Sequence, residues 1–571
     1  MRARHFRFWP DGVPRTIDIP DQSVYQNLVE SAVGKPDTTA SIYYGATLSY
    51  AELKRQADCL AGFLQQRCNV IKGDRVLLDM QNSPQFMIAY YAIIRADAMV
   101  VPVNPMNLTE ELRHFVTDSG ARTILGAQEL YPQIRPLVDE GLVDHVIVAC
   151  YSEYAGQPED FAGNGGNSGK HELPESVSAA PQEIADKGVT LWRDAIAAQL
   201  PPSEHTAHGD DRCVMPYTSG TTGHPKGCIH THRTVLSTVL IGSAWMQDKT
   251  NDELVMLGSL PLFHVTGMQS CMNGPIRRGA TVVLMTRWDR EMAAELIQRY
   301  RVDAWTNIST MVIDFLGNPD LGRYDISSLR HISGGGAAMP KAVAQRLNDL
   351  TGLSYVEGYG LSETMAPTHI NPLQRPKQQC LGIPVCNTDA RIINPETLAQ
   401  LPAGEIGEIV CNGPQVFLGY WNDPNATAAA FIELDGKRFF RTGDLGYCDE
   451  DGYFFIVDRL KRMINASGFK VWPAEVESIL YGHPDIHEAC VIATPDARRG
   501  ETVKAVLVLR DADRHRTSVE EIITWAKAHM AAYKVPRVVE FAENLPKSAT
   551  GKIQWRVLQD RENSKHAKAD R

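Results

Sequence analysis

Short runs of aliphatic and β-branched residues alternate along this chain with longer stretches whose apolar positions recur at helical spacing. Arg75-Val-Leu-Leu-Asp79 and Thr281-Val-Val-Leu-Met285 read as strands, and residues 290–300 read as an amphipathic helix. Strands alternating with helices predict a largely parallel, helix-covered sheet and therefore an α/β fold. Residues 86–103 are strongly apolar, but Arg95 and Asp97 interrupt them, so they predict a buried helix running into a strand and not a membrane span. Residues 151–182, rich in Gly, Ser, Asn, Pro and acidic side chains, break the alternation and predict an exposed insertion. No internal repeat is visible.

The pattern changes again near residue 450. Asp449-Glu-Asp-Gly452 is a turn signal, a strand is expected over 453–457, and the charged run Asp458-Arg-Leu-Lys-Arg462 marks a domain boundary. From 463 onward the chain predicts a compact α/β unit, with a helix over 473–481 and strands over 489–493 and 505–509. Residues 559–571 are polar and are expected to fray. A length of 571 residues exceeds what one hydrophobic core usually supports, which agrees with more than one domain.

Charge and cysteine usage narrow the setting. A formal net charge of -11 implies no global basic surface and argues against a nucleic-acid partner. The eleven cysteines are scattered, contain no Cys-x-x-Cys pair and are odd in number, so a reducing cytoplasm is expected. The basic N-terminus is followed by no apolar run, as a secretory signal would require.

The segment Tyr217-Thr-Ser-Gly-Thr-Thr-Gly-His-Pro-Lys-Gly227 places four Ser/Thr hydroxyls, three glycines and one lysine in a stretch with no hydrophobic period. Glycines let a backbone approach an anion, and Thr218, Ser219, Thr221, Thr222 and Lys226 can aim hydroxyls and a positive charge at its oxygens. A flexible surface loop has the same composition. Walker-type phosphate binding is disfavoured, because Lys226 is followed by Gly227 and not by Ser or Thr. Four further motifs follow in order: Glu357-Gly-Tyr-Gly-Leu-Ser-Glu-Thr364, Phe440-Arg-Thr-Gly-Asp444, Asp458-Arg-Leu-Lys461 and Pro546-Lys-Ser-Ala-Thr-Gly-Lys552. His230 and His232 stand two apart, a spacing zinc ligands can have, but no further ligand accompanies them and they are read as structural.

Together these motifs, from about Tyr50 to Leu558, resemble the adenylate-forming superfamily of acyl-CoA synthetases, luciferases and peptide-synthetase adenylation domains. The resemblance is strongest to bacterial medium- or long-chain fatty acyl-CoA ligases. It implies a large N-terminal domain of several parallel-rich subdomains over 1–457, a hinge over 458–461 and a small mobile α/β domain over 462–571. It also implies two half-reactions: a carboxylate attacks the α-phosphate of ATP to give an acyl-adenylate and pyrophosphate, then the thiol of coenzyme A displaces AMP.

By the same resemblance, Thr218, Ser219, Gly220, Thr221, Thr222 and Lys226 contact the β- and γ-phosphates. Glu363 is associated with magnesium, for which a hard oxygen ligand is suitable. Ser362 stands where the family more often has Thr, and its retained hydroxyl predicts little change. Gly334, Gly335, Gly336, Glu357, Gly358 and Tyr359 form adenine and acyl walls. Asp444 holds the ribose hydroxyls, and Arg459 lies near ribose and phosphates. Lys552 reaches the reacting carboxylate and α-phosphate, Lys461 is the torsional hinge, and Ser467, Gly468, Phe469 and Lys470 help to form the coenzyme A tunnel. His264 sits beside the acyl site, as a gate more than as a general base.

Candidate acyl-pocket residues Trp245, Met246, Thr310, Met311, Gly358, Met365 and Ala366 are apolar or small and include no cation, which favours a monocarboxylic acid. Aryl, short branched and hydroxy acids stay open as substrates, as does loading of a separate carrier protein. A luciferase-type oxidation and a nucleotide sensor with a decayed site are the other readings, the latter opposed by the presence of Lys552, Glu363 and Asp444. A homodimer is left open.

Overall fold

The computed structural model describes residues 4–156, 173–218, 225–246, 254–336, 338–459, 462, 464–466, 469–496, 500–510, 517–548 and 553–569; the side chains of 459, 465, 469, 470, 500 and 566–569 are not among them. Two nine-stranded sheets form the larger part. In the first, the parallel strands Met99–Pro102, Arg75–Asp79, Thr123–Ala127, His145–Ala149 and Val189–Leu191 run on one side of Arg212–Val214, and Lys226–Thr231 and Gly419–Tyr420 complete the other side antiparallel. In the second, Thr39–Tyr43, Thr281–Leu284, Val255–Gly258, Ala304–Asn307, His331–Gly335 and Val356–Leu361 are parallel, and Ala366–Ile370 turns back at the edge.

Helices Tyr50–Arg67 and Pro84–Arg95 pack in the core that the two sheets share. Ser49 and Ser83 begin them by accepting the Glu52 and Phe86 amides at 3.2 Å each, and Pro84 follows its cap directly, where its missing N–H costs nothing. Every residue from Pro84 to Ile94 is buried, which explains an apolar run too long for one helix face. It leads into Met99–Pro102, as the hydrophobic pattern predicts.

A third, five-stranded sheet contains the long strand Lys437–Cys448 and its partners Gly407–Asn412 and Phe454–Arg459. The last strand extends past the expected stop at 457, because Asp458 and Arg459 still pair with Leu445 and Asp444. Beyond it lies the smaller C-terminal domain, a five-stranded sheet dominated by the hairpin Ile486–Asp496 and Gly500–Leu509 and covered by helices Pro473–Leu480 and Val519–His529.

Two expectations need correction. Residues 559–569 are not a frayed tail: Trp555–Ala569 is a helix, and 570–571 lie outside the described residues. Buried Glu562 accepts from Lys504 Nζ at 2.6 Å and from the Thr494 hydroxyl at 2.7 Å, so partners remote in sequence hold a segment whose composition alone is solvent-loving. The 151–182 insertion is also anchored more firmly than its composition suggests. Tyr151 and Val177 are fully buried, and the Tyr151 hydroxyl accepts the Gln81 amide at 2.7 Å, while 157–172 lie outside the described residues.

Candidate active site

The parallel strands His331–Gly335 and Val356–Leu361 deliver two of the motifs side by side, with Gly334 opposite Glu357 and Gly335 opposite Gly358. Ligands of open α/β sheets bind outside such carboxyl ends. Glycine is required at 334, since a β-carbon there would stand 2.1 Å from both the Asn307 carbonyl oxygen and the Tyr355 hydroxyl. Gly336 has a φ of +83°, a conformation glycine adopts without strain. Glu357 braces this corner: its two oxygens accept the Met339 amide at 2.8 Å and the Cys380 amide at 2.7 Å. Burial pushes its carboxyl up to about 7.

Tyr359, on the same strand, donates its hydroxyl to Asp444 Oδ2 at 2.6 Å. Burial and the neighbouring Asp444 charge raise the phenol well above its ordinary range, so it remains a donor at neutral pH. Asp444 is 2% exposed. Its segment of the long strand is held by Glu408, a buried residue that sequence reasoning did not single out. Glu408 accepts from Arg441 Nη2 at 2.5 Å and from the Gly443 amide at 3.2 Å, and Gly443 itself has a φ of +70°. Arg459 stands opposite Asp444 in the strand register, so these two motifs meet by backbone pairing.

The two ends of the phosphate-loop motif pair as antiparallel strands. Thr218 pairs with Lys226 and Tyr217 with Gly227, while Ser219, Gly220, Thr221 and Thr222 lie outside the described residues. Lys226 Nζ is 3.0 Å from Asp423 Oδ2 and 5.3 Å from the centre of the Tyr420 ring. Tyr420 in turn donates its hydroxyl to Glu363 Oε1 at 2.9 Å. Lys226 and Glu363, 137 residues apart by subtraction of their numbers, are therefore linked through one aromatic side chain. Tyr420 and Asp423 were missed because Gly419-Tyr-Trp-Asn-Asp-Pro424 carries only a turn signal. Glu363 and Ser362 occupy a single 3-10 turn, Ser362–Thr364, after which Met365 and Ala366 have φ of +47° and +76°.

The acyl-pocket set does not form one wall. Met311, Met365 and Ala366 belong to the main core, and Met311 Sδ lies 4.0 Å from the Ser259 hydroxyl. Trp245 instead packs edge-on against Trp9 with ring centres 5.2 Å apart and donates its indole N–H to the Asn371 carbonyl at 3.2 Å. Met246 packs against Leu254, Met256, Ala280 and Ala304. Their apolar character serves these separate clusters, which a helix-surface pattern cannot distinguish from a ligand wall. Thr310 is half-buried, and His264 is exposed and caps the short helix Val265–Met268. A cavity of about 640 Å³ is bordered by Leu48, Arg55, Tyr154 and Trp192, with none of the candidate site residues on its lining.

The histidine pair is accounted for by protein contacts. His232 Nδ1 accepts the Val24 amide at 3.1 Å, and His230 lies fully buried against the Ser362 carbonyl. Among the described residues no cluster of His, Cys, Asp and Glu has a metal-binding arrangement of three or more. Lys461, Ser467, Gly468 and Lys552 lie outside the described residues, and Phe469 and Lys470 are described by backbone alone, in the strand Phe469–Val471. The flanks of Lys552 are defined: Lys547 and Ile553 form an antiparallel bridge.

The family model described as AMP-binding enzyme matches residues 28–421, and the model of the AMP-binding enzyme C-terminal domain matches 475–552. The long-chain-fatty-acid-CoA ligase of Bacillus subtilis is 36% identical over 560 residues, spanning 98% of each chain. A feruloyl-CoA synthase of Amycolatopsis is 34% identical over 529 residues, covering 92% of this chain and 96% of its own. A solved anthranilate CoA ligase in complex with anthranoyl-AMP superposes with a TM-score of 0.84 at 25% identity, covering 96% of this chain and 99% of that one. The matched region contains the strand ends carrying Glu357 and Tyr359, the phosphate hairpin and Glu363, and it resumes across the C-terminal domain. The chain belongs to the AMP-binding, adenylate-forming family of enzymes.

Proposed function

We propose that the protein is an AMP-forming acyl-CoA ligase acting on medium- or long-chain fatty acids. The observation that carries this reading is the presence of two tyrosine-held groups, Lys226 and Glu363 joined through Tyr420 and Asp444 held by Tyr359, in a chain matched end to end by a fatty acid ligase. Asp444 accepts from the ribose hydroxyls, since a carboxylate has lone pairs for both. Lys226 and the loop before it draw the β- and γ-phosphates, with Lys226 leaving Asp423 to do so. Oriented cations and donors are what the meeting of two anions requires.

Glu363 fits a magnesium site of the kind that uses one carboxylate and relies on substrate phosphates for the rest: it is half-buried beside the phosphate hairpin, with Oε1 held by Tyr420. Held by Glu363, magnesium would supply positive charge to the phosphate oxygens. The substrate carboxylate oxygen forms a bond to the α-phosphorus, and the bond to pyrophosphate breaks. Lys552 brings a positive charge to that step from the C-terminal domain. The domain 462–571 then turns about 458–461, with Lys461 as pivot, and Ser467, Gly468, Phe469 and Lys470 border the path of coenzyme A. Its thiolate attacks the acyl carbon and AMP leaves. His264, exposed at the start of the short helix Val265–Met268, gates entry of the acid. The acidic charge and the eleven free cysteines support a cytoplasmic location, and no helix among the described residues is long and apolar enough to cross a membrane.

The feruloyl-CoA synthase relative favours an aryl acid as the second reading. Both are tested by pyrophosphate release with ATP and magnesium across fatty, aryl and short hydroxy acids, with and without coenzyme A. Fatty acids should give coenzyme A-stimulated turnover with AMP as product. Turnover on aryl acids alone would replace the substrate class. Pyrophosphate without any thioester would point to a carrier protein as acceptor.

A further inference from the structure

The two histidines after the phosphate hairpin face different neighbours, and His230 faces the carboxylate turn. Its side chain is 0% exposed, with Nε2 2.7 Å from the Ser362 carbonyl oxygen and Nδ1 3.1 Å from the Thr234 hydroxyl. A carbonyl only accepts, so Nε2 carries the proton; the Thr234 hydroxyl beside Nδ1 also has the Thr231 carbonyl as an acceptor at 2.8 Å. Ser362 immediately precedes Glu363. The rest of that turn is gripped from the same sheet edge: the Glu363 carbonyl accepts the Phe417 amide at 2.8 Å, and its Oε1 accepts the Tyr420 hydroxyl at 2.9 Å. The strand Gly419–Tyr420 is itself paired to Lys226–Thr231, through Cys228 with Tyr420 and Ile229 with Gly419.

The turn needs such support. Met365 and Ala366 follow it with φ of +47° and +76°, two consecutive non-glycine residues in a region that persists only when surroundings impose it. Phe417 holds the backbone after the carboxylate residue and Tyr420 holds the carboxylate. His230 holds the peptide before it, and it does so from the strand that begins at Lys226.

We propose that His230 is a positioning residue for the metal carboxylate: through the Ser362 carbonyl it fixes Glu363 relative to the phosphate hairpin, so that nucleotide phosphates and metal are presented in one register. The inference rests on the assignment of Glu363 to magnesium made above. A purely space-filling histidine would be replaced without loss by leucine, whereas a positioning one requires a donor at Nε2. Glutamine can place an amide N–H near that point, and asparagine is too short to reach it.

The test measures manganese binding by electron paramagnetic resonance in the full-length protein with a non-hydrolysable ATP analogue. It is paired with the magnesium requirement of ATP–pyrophosphate exchange and with thioester formation from pre-made acyl-adenylate. His230→Leu and His230→Asn should weaken metal binding and raise the magnesium requirement about tenfold, as loss of a ligand's supporting hydrogen bond does. His230→Gln should stay within about threefold of wild type, and thioester formation from the adenylate should be unchanged in all three. Wild-type metal affinity in His230→Leu, or in His230→Asn should the leucine variant fail to fold, overturns the proposal. So does equal damage in His230→Gln and His230→Asn. Failure of the functional reading is distinct: wild-type protein would show no exchange, or Glu363→Gln would leave the metal requirement unmoved.

Discussion

The Tyr359 hydroxyl donates to Asp444 Oδ2 at 2.6 Å, joining a strand of the second large sheet to the bulged Arg441-Thr-Gly-Asp444 segment of the long strand in the third sheet. The carboxylate is thereby held in place by protein contacts alone. Tyr359→Phe removes a hydrogen bond to a buried charged group, worth ~1.5–3 kcal/mol. The expected result is a KM for ATP raised roughly tenfold with the KM for the acid unchanged, since ~1.4 kcal/mol is a factor of ten. Steady-state kinetics in both substrates checks this, and an effect confined to the acid would remove Asp444 from the ribose.

Glu357 gives the corner a pH dependence. Its folded carboxyl is raised by burial from 4.5 to about 7, so the folded state holds more protons than the unfolded one between those values. Stability from this group is therefore fully present below pH 4.5 and declines as pH rises to about 7. The loss is on the order of 3 kcal/mol at most, and it would be larger without the two amides that favour the ionised form. Denaturant unfolding at pH 5.5 and 7.5 should show a wild-type decline that is absent in Glu357→Gln. Glu357→Gln should itself be less stable at pH 5.5, because its amide group faces an N–H donor where an oxygen stood; identical pH slopes would exclude the assignment.

The two half-reactions should separate. Lys552→Ala is expected to lower adenylate formation by a factor of 100 or more, on the order of what a positioned charge supplies, while thioester formation from pre-made acyl-adenylate largely survives. Lys461→Pro, by restricting the backbone rotation a hinge must absorb, should spare pyrophosphate release and slow thioester formation. Single-turnover assays of each half decide. Equal loss of both halves in either variant contradicts the role given to that lysine.

The C-terminal helix is expected to be integral to its domain. Lys504 and Glu562 are each about 6% exposed at the side chain and 2.6 Å apart. Glu562→Ala leaves a buried ammonium with only Glu540 as a carboxylate partner at 2.7 Å, and should cost ~3 kcal/mol of domain stability. Thermal unfolding should show it, with pyrophosphate release at low temperature little changed. An unaltered melting transition would mean that the helix is a passive tail.

Much of the fold was legible because hydrophobic period is a local property. The strand Arg75–Asp79, the helix Arg290–Tyr300 and the passage from a buried helix into Met99–Pro102 stand where their patterns place them. Composition also marked a close backbone approach, since a β-carbon at Gly334 would strike the Asn307 carbonyl oxygen.

Tertiary structure decided what those residues touch. Tyr420 between Lys226 and Glu363, Glu408 beneath Asp444 and His230 behind Ser362 come from segments far apart in sequence, with no pattern to mark them. Trp245 and Met246 show the same limit in reverse, since an apolar side chain reads alike whether it faces a ligand or a neighbouring core. Local backbone preference and periodicity act within a few residues, so the chain's order of elements is written in the sequence. Contacts between distant segments depend on how whole sheets pack, and only the folded molecule determines them.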